Sequence, residues 1–374
     1  MNSTDIKVTV IMPIYNAYDY LRPAMDSVID QTLREIEVIC IDDGSTDHSL
    51  DIIKEYQKLD ERIRIVTENN AGPGAARNKG IVRARGEYII FLDADDFYEP
   101  TLLEKLYEAA KRDDLDIAVV GFDIYNSKHA RFEPFKEEEH ANIYLNGAVV
   151  SKNEYPDSIL QSTTGYVWNK LFRTSFIKEK ELSFTPEIYV FEDVYFVCTA
   201  LSLAERVARV YETLIHHRVY SDQSRAKLFR KYYNQVPVVY MKVKDFLTQH
   251  GMYIPLMRSF LNFSSSRCYK IYNLLWHDAK ADFWNMLHAG YADSLGWYRH
   301  EASDFERDDV HEFVVNIGLY TYEQYSKREH KGIRTKHERF SMSTLNKRIK
   351  SVIKSENIKN KLSNFFGKFS KKDK

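Results

Sequence analysis

The first 120 residues alternate short apolar runs with helical patterns. Val8-Thr9-Val10-Ile11-Met12 is apolar and rich in β-branched residues, which predicts a buried strand. Leu21, Met25 and Val28 then recur at helical spacing. Glu37 to Ile41 predicts a second strand, and Ser45 or Thr46 is placed to cap a helix carrying Leu50, Ile53 and Tyr56. Ile63 to Val66, Tyr88 to Leu92 and Ile117 to Val120 predict three more strands, separated by helices over Gly74 to Ala84 and Thr101 to Arg112. Strands and helices alternating at this pace predict an α/β fold, a mostly parallel sheet with helices on both faces. From Phe122 to about Tyr220 the alternation loosens, predicting a mixed extension with extra strands and a helix starting near Glu192. Beyond Gln223 the pattern is mostly helical through about Tyr325. The expected divisions are residues 1–224, a helical region 225–344 and a tail 345–374.

A sheet of this kind puts its ligand outside the carboxyl ends of its strands. Three predicted strand ends carry polar or acidic residues there: Pro13-Ile14-Tyr15-Asn16, Asp42-Asp43-Gly44-Ser45 and Asp93-Ala94-Asp95-Asp96.

Charge adds a second feature. The chain is nearly neutral at −1, yet residues 345–374 hold ten Lys/Arg and two acids, so the rest is acidic. Ile358, Leu362, Phe365, Phe366 and Phe369 recur at helical spacing among those lysines, the pattern of a basic amphipathic helix suited to an anionic membrane surface. A solvated tail or one packing on a protein gives the same composition. An acidic body argues against nucleic acid as a partner. Cys40, Cys198 and Cys268 are far apart, which suggests neither a disulfide framework nor a thiolate metal site. With no signal-peptide pattern at the start and no membrane-length apolar run, the expected location is the cytoplasm, at the inner face of the membrane. The 26 Tyr and 21 Phe fill cores, and Tyr also suits clefts for sugars and bases.

Carboxylates gathered at a strand end repel one another unless a cation lies among them. Asp93 and Asp95 therefore predict a hard divalent ion, Mg²⁺ or Mn²⁺, bridging to phosphates, although acidic loops of this kind also occur on plain surfaces. Asp42 could accept a hydrogen bond from the N–H of a base such as uracil; the surrounding Asp-Gly-Ser is also an ordinary strand-to-helix turn. Arg77 stands near the start of its helix, where a cation opposes the dipole, so it has either a phosphate or acids such as Asp42 or Asp95 to meet. Glu192 and Asp193 at a helix start satisfy the dipole and need no further reason, unless a donor site lies nearby. In His216-His217-Arg218, one histidine could reach the metal and Arg218 could hold a diphosphate, or the three could form a polar loop.

Taken in order, Pro13-Ile14-Tyr15-Asn16, Asp42 to Asp47, Asn70-x-Gly72, Ala76-Arg77-Asn78-x-Gly80, Gly86-Glu87-Tyr88-Ile89 and Asp93-Ala94-Asp95-Asp96 resemble family 2 glycosyltransferases of the GT-A fold. The match runs from about Lys7 to Ser224. Trp168-Asn169-Lys170-Leu171-Phe172, Phe191-Glu192-Asp193 and the Arg218 loop resemble members that build bacterial cell-surface polysaccharides. Those members often carry an aromatic pair before the loop arginine, where this chain has His216 and His217.

The resemblance implies an inverting, metal-dependent hexosyltransferase that uses a UDP-sugar and a glycan acceptor, lipid-linked or free. Pro13, Tyr15 and Asp42 would hold the uridine, with Arg77 near it. Asp93 would reach ribose or metal, Asp95 would ligate the metal, and His217 is a further candidate ligand. Arg218 would hold the diphosphate, Asp193 would be the base and Glu192 its support. Trp168 and Asp96 would line the acceptor or sugar pocket. A nucleotidyltransferase would want a Gly-rich basic loop after the first strand, and Tyr15-Asn16-Ala17-Tyr18 is not one. A non-catalytic nucleotide-sugar-binding protein would be expected to lack a metal acid or the base, and Asp93, Asp95 and Asp193 are all present.

Overall fold

The structure is a computed structural model that describes residues 6–135, 148–188, 190–219 and 231–330. The chain divides into two compact units, Met1–Arg225 with Asp245–Ser259, and Ala226–Lys244 with Phe260–Lys374. The basic tail and Ser221 to Ser224 lie outside the described residues.

In the first unit, β1 (Val8–Ile14), β2 (Ile36–Asp42), β3 (Ile63–Thr67) and β4 (Tyr88–Phe91) form a parallel sheet in the order β3-β2-β1-β4. Val8 lies opposite Ile36 on one side and Tyr88 on the other, so the carboxyl ends of β1, β2 and β4 come out at one rim. β1, β2 and β4 are buried almost throughout, as strands covered on both faces must be. Leu21, Ala24, Met25 and Val28 of α1 (Tyr18–Ile29) and Ile52, Ile53 and Tyr56 of α2 (Ser49–Leu59) pack one face. Burying each large aliphatic side chain of this kind stabilises the fold by roughly 1.5–3 kcal/mol. α3 (Pro73–Arg83) lies against β1 so closely that a methyl at Gly80 would come within 2.4 Å of Ile11 Cγ2.

Beyond β4 the sheet departs from the all-parallel expectation for the fifth strand. β8 (Lys170–Arg173) inserts antiparallel between β4 and β6 (Ile117–Asn126). The segment between β6 and β8 includes a short strand, β7 (Arg131–Pro134), paired with β6. β6 runs ten residues rather than four and pairs in parallel with β9 (Val207–Val219). Their register slips around Gly121, where an added methyl would come within 2.8 Å of the Glu212 carbonyl oxygen, so glycine lets the strands close there. β5 (Phe97–Tyr98) pairs with His216 and Ile215 of β9 and closes the edge. α4 (Leu102–Arg112), α5 (Thr174–Glu179) and α6 (Glu192–Leu203) complete the unit, with α6 starting where the sequence predicts. This is the GT-A architecture.

The second unit is helical, as the sequence predicts. It includes helices over His277–Met286, Asp308–Leu319 and Tyr322–His330 around a buried Trp284. Trp284 stacks on Tyr325 at 4.3 Å, meets Phe313 edge-on, and donates its indole N–H to the Tyr320 carbonyl. Cys40, Cys198 and Cys268 are all buried free thiols. Among the described residues no helix is long and apolar enough to cross a membrane.

Candidate active site

The rim is built from loops that tie to one another through short polar side chains. After β1, Asn16 adopts a left-handed backbone (φ 50°), which its short amide tolerates. Its Oδ1 accepts the N–H groups of Thr46 and Asp47 at 2.8 and 3.3 Å, fixing the β2–α2 turn. The expected cap by Ser45 or Thr46 is therefore not what forms. α2 starts at Ser49, whose N–H donates to Asp47 Oδ1, while Ser45 Oγ accepts from the Asn16 N–H. Asp42 is buried at the end of β2, and its carboxylate accepts the Ser45 N–H at 3.3 Å. Tyr15 stays 52% exposed and Pro13 half-buried, so this strand end presents a ring to solvent beside the rim.

Asp43 does not stand out in the sequence as a site residue. Buried, it accepts the Ala71 and Gly72 N–H groups at 2.9 and 2.8 Å, pinning the glycine loop that precedes α3. The signal available for it is the second acid of Asp42-Asp43-Gly44. Read by itself, that is turn chemistry.

Beyond β4, the four residues 93–96 divide. Asp93 is half-buried, and its Oδ1 accepts from Arg77 Nη2 at 2.8 Å. Tyr98 donates its hydroxyl to the Asp93 carbonyl. Asp95 is half-buried, and its carbonyl accepts from Arg218 Nε at 2.8 Å. Asp96 is completely buried; its carboxylate accepts the Arg218 backbone N–H at 2.8 Å and meets His217 Nδ1 at 3.1 Å. It clamps the end of β9 beneath the rim.

Trp168 is buried as well. Only 3% exposed, it stacks with Tyr166 at 4.9 Å and with His217 at 5.1 Å and packs edge-on against Phe122. In this cluster Tyr166 and His217 keep solvent-facing surface. Lys170, expected only as part of the same motif, is fully buried and donates to the carbonyls of Thr164 and Tyr166, fixing the turn that carries Tyr166.

Arg218 lies among three rings, with Tyr20, Phe97 and Tyr125 centroids 5.2–5.4 Å from its guanidinium carbon. These contacts stiffen a side chain that would otherwise wander. His216 sits between Asp123 at 2.8 Å and Glu99 at 3.0 Å. Burial alone would push its pKa down, but the two carboxylates outweigh it and hold the imidazole above its ordinary value. It thus ties Asp123 of β6 and Glu99, just past β5, to β9.

Arg77 falls at the fifth position of α3, past the first turn. Only 5% exposed, it pairs with neither Asp42 nor Asp95. Its Nη1 donates to Glu192 Oε1 at 2.7 Å and its Nη2 to Asp93 Oδ1 at 2.8 Å. Burial pulls its pKa down, and Asp93, Glu192 and Asp193 together raise it above its ordinary value. Gly74 makes the approach possible, because a methyl there would press at 3.2 Å on both Glu192 Cγ and Phe184 Cβ.

α6 starts on Phe191, a non-glycine residue at φ 73°, ψ 18°, and no side-chain hydrogen bond caps it among the described residues. That backbone costs about 1–2 kcal/mol and persists only where the surroundings impose it. Burial raises the Glu192 carboxyl even against Arg77. Asp193 is half-buried and accepts the Val194 N–H; burial first, and then the charge of Glu192, push its carboxyl up to about 7.

Among the described residues no three His, Cys, Asp or Glu side chains are gathered to hold a metal ion, so Asp93, Asp95 and His217 do not form a ready-made three-ligand cage. The donor set still suits a magnesium-like ion, which needs one or two carboxylates and takes its other oxygens from phosphate and water. Asp96 at His217 Nδ1 is also the kind of carboxylate that orients a ligating imidazole.

A parallel core of four strands within a mixed sheet, with an acidic cluster past its fourth strand and the ion pairs Asp93–Arg77–Glu192 leading to the helix start that bears Asp193, is the arrangement expected of a GT-A glycosyltransferase. The Glycosyl transferase family 2 model matches residues 9–176. EpsH of Bacillus subtilis (strain 168) is 32% identical over 267 residues, 70% of this chain and 76% of that protein. The poly(ribitol-phosphate) beta-glucosyltransferase of Bacillus spizizenii is 30% identical over 69% of this chain, which spans only 40% of that relative. A crystal structure of residues 1–349 of Staphylococcus aureus TarS with UDP-GlcNAc superposes with a TM-score of 0.64, covering 88% of this chain and 93% of that one at 20% identity. The chain belongs to glycosyltransferase family 2, and the nucleotidyltransferase reading is set aside.

Proposed function

We propose that this enzyme moves a sugar, with inversion, from a UDP-sugar to a hydroxyl of a growing bacterial cell-surface glycan. The observation that carries the reading is the chain Asp93–Arg77–Glu192, which joins the acidic cluster beyond β4 to the helix start bearing Asp193. Asp193 takes the proton of the acceptor hydroxyl, whose oxygen bonds to the anomeric carbon as the bond from that carbon to the diphosphate oxygen breaks on the opposite face. One carboxylate base suffices for this displacement. A carboxyl near 7 holds a proton far better than an ordinary aspartate and still ionises at cellular pH.

Pro13, Tyr15 and Asp42 hold the uridine. Arg218, stiffened by its three rings, faces the diphosphate charge as it develops. Asp95 and Asp93, with His217 as a further ligand, would hold Mn²⁺ or Mg²⁺, which when bound supplies Lewis-acid stabilisation of the diphosphate. Glu192, Asp96 and Trp168 position these groups. The names of the glucosyltransferase relative and of the TarS complex support a cell-surface polymer and a UDP-linked donor.

The test is nucleotide release from a panel of nucleotide sugars with Mn²⁺ or EDTA, with and without an acceptor glycan. One UDP-sugar should turn over with metal. Asp95→Ala should lower that rate by about 10²–10³-fold, the value of several kcal/mol of charge stabilisation. Release unaffected by both EDTA and Asp95→Ala would overturn the metal assignment. A lack of both turnover and calorimetric UDP binding would overturn the donor assignment.

Residues 345–374, outside the described residues, we propose to dock on the anionic inner face of the cell membrane, where a lipid-linked acceptor would lie. Deleting them should abolish sedimentation with phosphatidylserine vesicles at low salt and leave donor hydrolysis intact. Unchanged sedimentation would sink this part of the reading.

A further inference from the structure

Asn78 follows Arg77 in α3 and has no part in the reaction just described. Its carboxamide closes a ring of two hydrogen bonds with the backbone of Phe184: Nδ2–H donates to the Phe184 carbonyl at 2.8 Å, and Oδ1 accepts the Phe184 N–H at 2.8 Å. The partners are 106 residues apart in the chain, so no local turn requires the pairing. Phe184 is buried in the loop between α5 and α6. Its ring stacks flat on Phe196 at 4.3 Å and 6°, takes Phe91 edge-on at 5.2 Å, and lies 5.4 Å from the Arg77 guanidinium.

Phe196 stands three residues after Asp193 on α6, and residues so spaced share a helix face. On α3, Gly74, Arg77 and Asn78 occupy positions i, i+3 and i+4, again one face. That face meets the base-bearing region at three places. Gly74 leaves room for Glu192 and Phe184, Arg77 binds Glu192, and Asn78 binds the backbone that carries the Phe184 ring. The start of α6 opens on the left-handed Phe191, a backbone that persists only where its surroundings impose it. A carboxamide suits this role because it supplies one donor and one acceptor in one plane, matching a backbone amide, and adds no charge beside Arg77.

We infer that Asn78 is a positioning residue that holds the start of α6, and with it Asp193, in register with the donor end of the sheet. The inference rests on Asp193 being the base. Asn78→Ala removes both hydrogen bonds and leaves the Phe184 backbone groups buried without partners. Asn78→Asp is the companion of equal size: it keeps the acceptor for the Phe184 N–H, loses the donor, and sets a charged oxygen against the Phe184 carbonyl.

The experiment measures kcat, donor KM and the pH dependence of kcat for both variants and for Asp193→Asn. Cooperative melting and the stoichiometry of UDP binding report the folded fraction. Asn78→Ala should lower kcat by about 10–100-fold with donor KM within about threefold, the scale of a base misplaced by about an ångström. Its acid limb should move down from near 7, because a loosened helix start admits water to Asp193. Asn78→Asp should lower kcat as well, because its charged oxygen repels the Phe184 carbonyl. A merely structural asparagine would lower UDP-binding stoichiometry and activity together, with the acid limb unmoved, and that result overturns the inference. So does a wild-type kcat and pH profile in either folded variant while Asp193→Asn is silent. If Asp193→Asn retains full kcat, the base assignment fails and this inference falls with it.

Discussion

Asp193→Asn is expected to lower kcat by about 10²–10⁴-fold, the usual worth of a positioned general base, and to raise the melting temperature at pH 8. The two effects share one cause. Burial and the neighbouring Glu192 push the Asp193 carboxyl from an ordinary aspartate value up to about 7. The folded protein therefore keeps this proton over a pH range in which the unfolded chain has already lost it. Stability then falls as pH rises from about 4 to about 7, and the full penalty applies above that. The amide removes the ionisation and can still accept the Val194 N–H that Asp193 Oδ1 accepts now. After discounting for the partial exposure of the group and its coupling to Glu192, about 1–3 kcal/mol of stability should be recovered at pH 8 and little at pH 5. For a protein of this size that is roughly 2–8 °C. In the wild type, kcat should fall with acid through a midpoint near 7. A midpoint near 4, or a variant that keeps more than a tenth of the activity, would remove Asp193 from the role of base. A variant no more stable at pH 8 than at pH 5, relative to wild type, would show that its carboxyl is not perturbed.

What the sequence reveals about this site depends on how far apart in the chain the interacting residues lie. The strands that carry Tyr15, Asp42 and Asp93 announce themselves because each is a short apolar run ended by polar residues, and a parallel sheet brings such ends to one rim without further information. The placement of β8 is different. Only Leu171 and Phe172 are apolar in Lys170 to Arg173, too short a run to announce a strand, and only its arrival after the excursion from β6 sets its direction. The fate of Asp96 is likewise hidden, since three neighbouring aspartates look alike until β9, more than 120 residues on, brings His217 and Arg218 to one of them. Trp168 reads as a ring for a sugar; the histidines that replace the usual aromatic pair supply its stacking partner, and the cluster buries it. Arg77 breaks a local rule near a helix start, which points to an acidic or anionic partner. That one of its partners is Glu192, 115 residues away, cannot be read from spacing.

Arg77 is also where the largest loss of stability is expected. Arg77→Met should cost about 3–5 kcal/mol at pH 8, the range for removing one partner from a buried ion pair. The guanidinium is the cation bonded to both Asp93 and Glu192, and its charge also opposes that of Asp193. Methionine fills much of the same volume against Phe184, so the loss reports charge more than packing. The pH dependence separates the two. Without Arg77 the carboxyls of Glu192 and Asp193, already raised, rise further, and the folded variant relieves the repulsion by taking up protons. Its deficit relative to wild type should therefore shrink as pH falls from 8 to about 5.5 and grow as pH rises, by the same linkage that governs any carboxyl raised in the folded state. Arg77→Lys should lie between, because one ammonium cannot present two separate donors to two carboxylates in the guanidinium's fixed geometry. Melting curves of the three proteins at pH 5.5 and pH 8 decide the matter. A deficit for Arg77→Met that is equal at both pH values would mean that Arg77 contributes shape alone. A deficit that is large at pH 8 and halved at pH 5.5 would establish that the charges of the donor end and of the base are balanced through one side chain, so that whatever disturbs Asp93 is felt at Asp193.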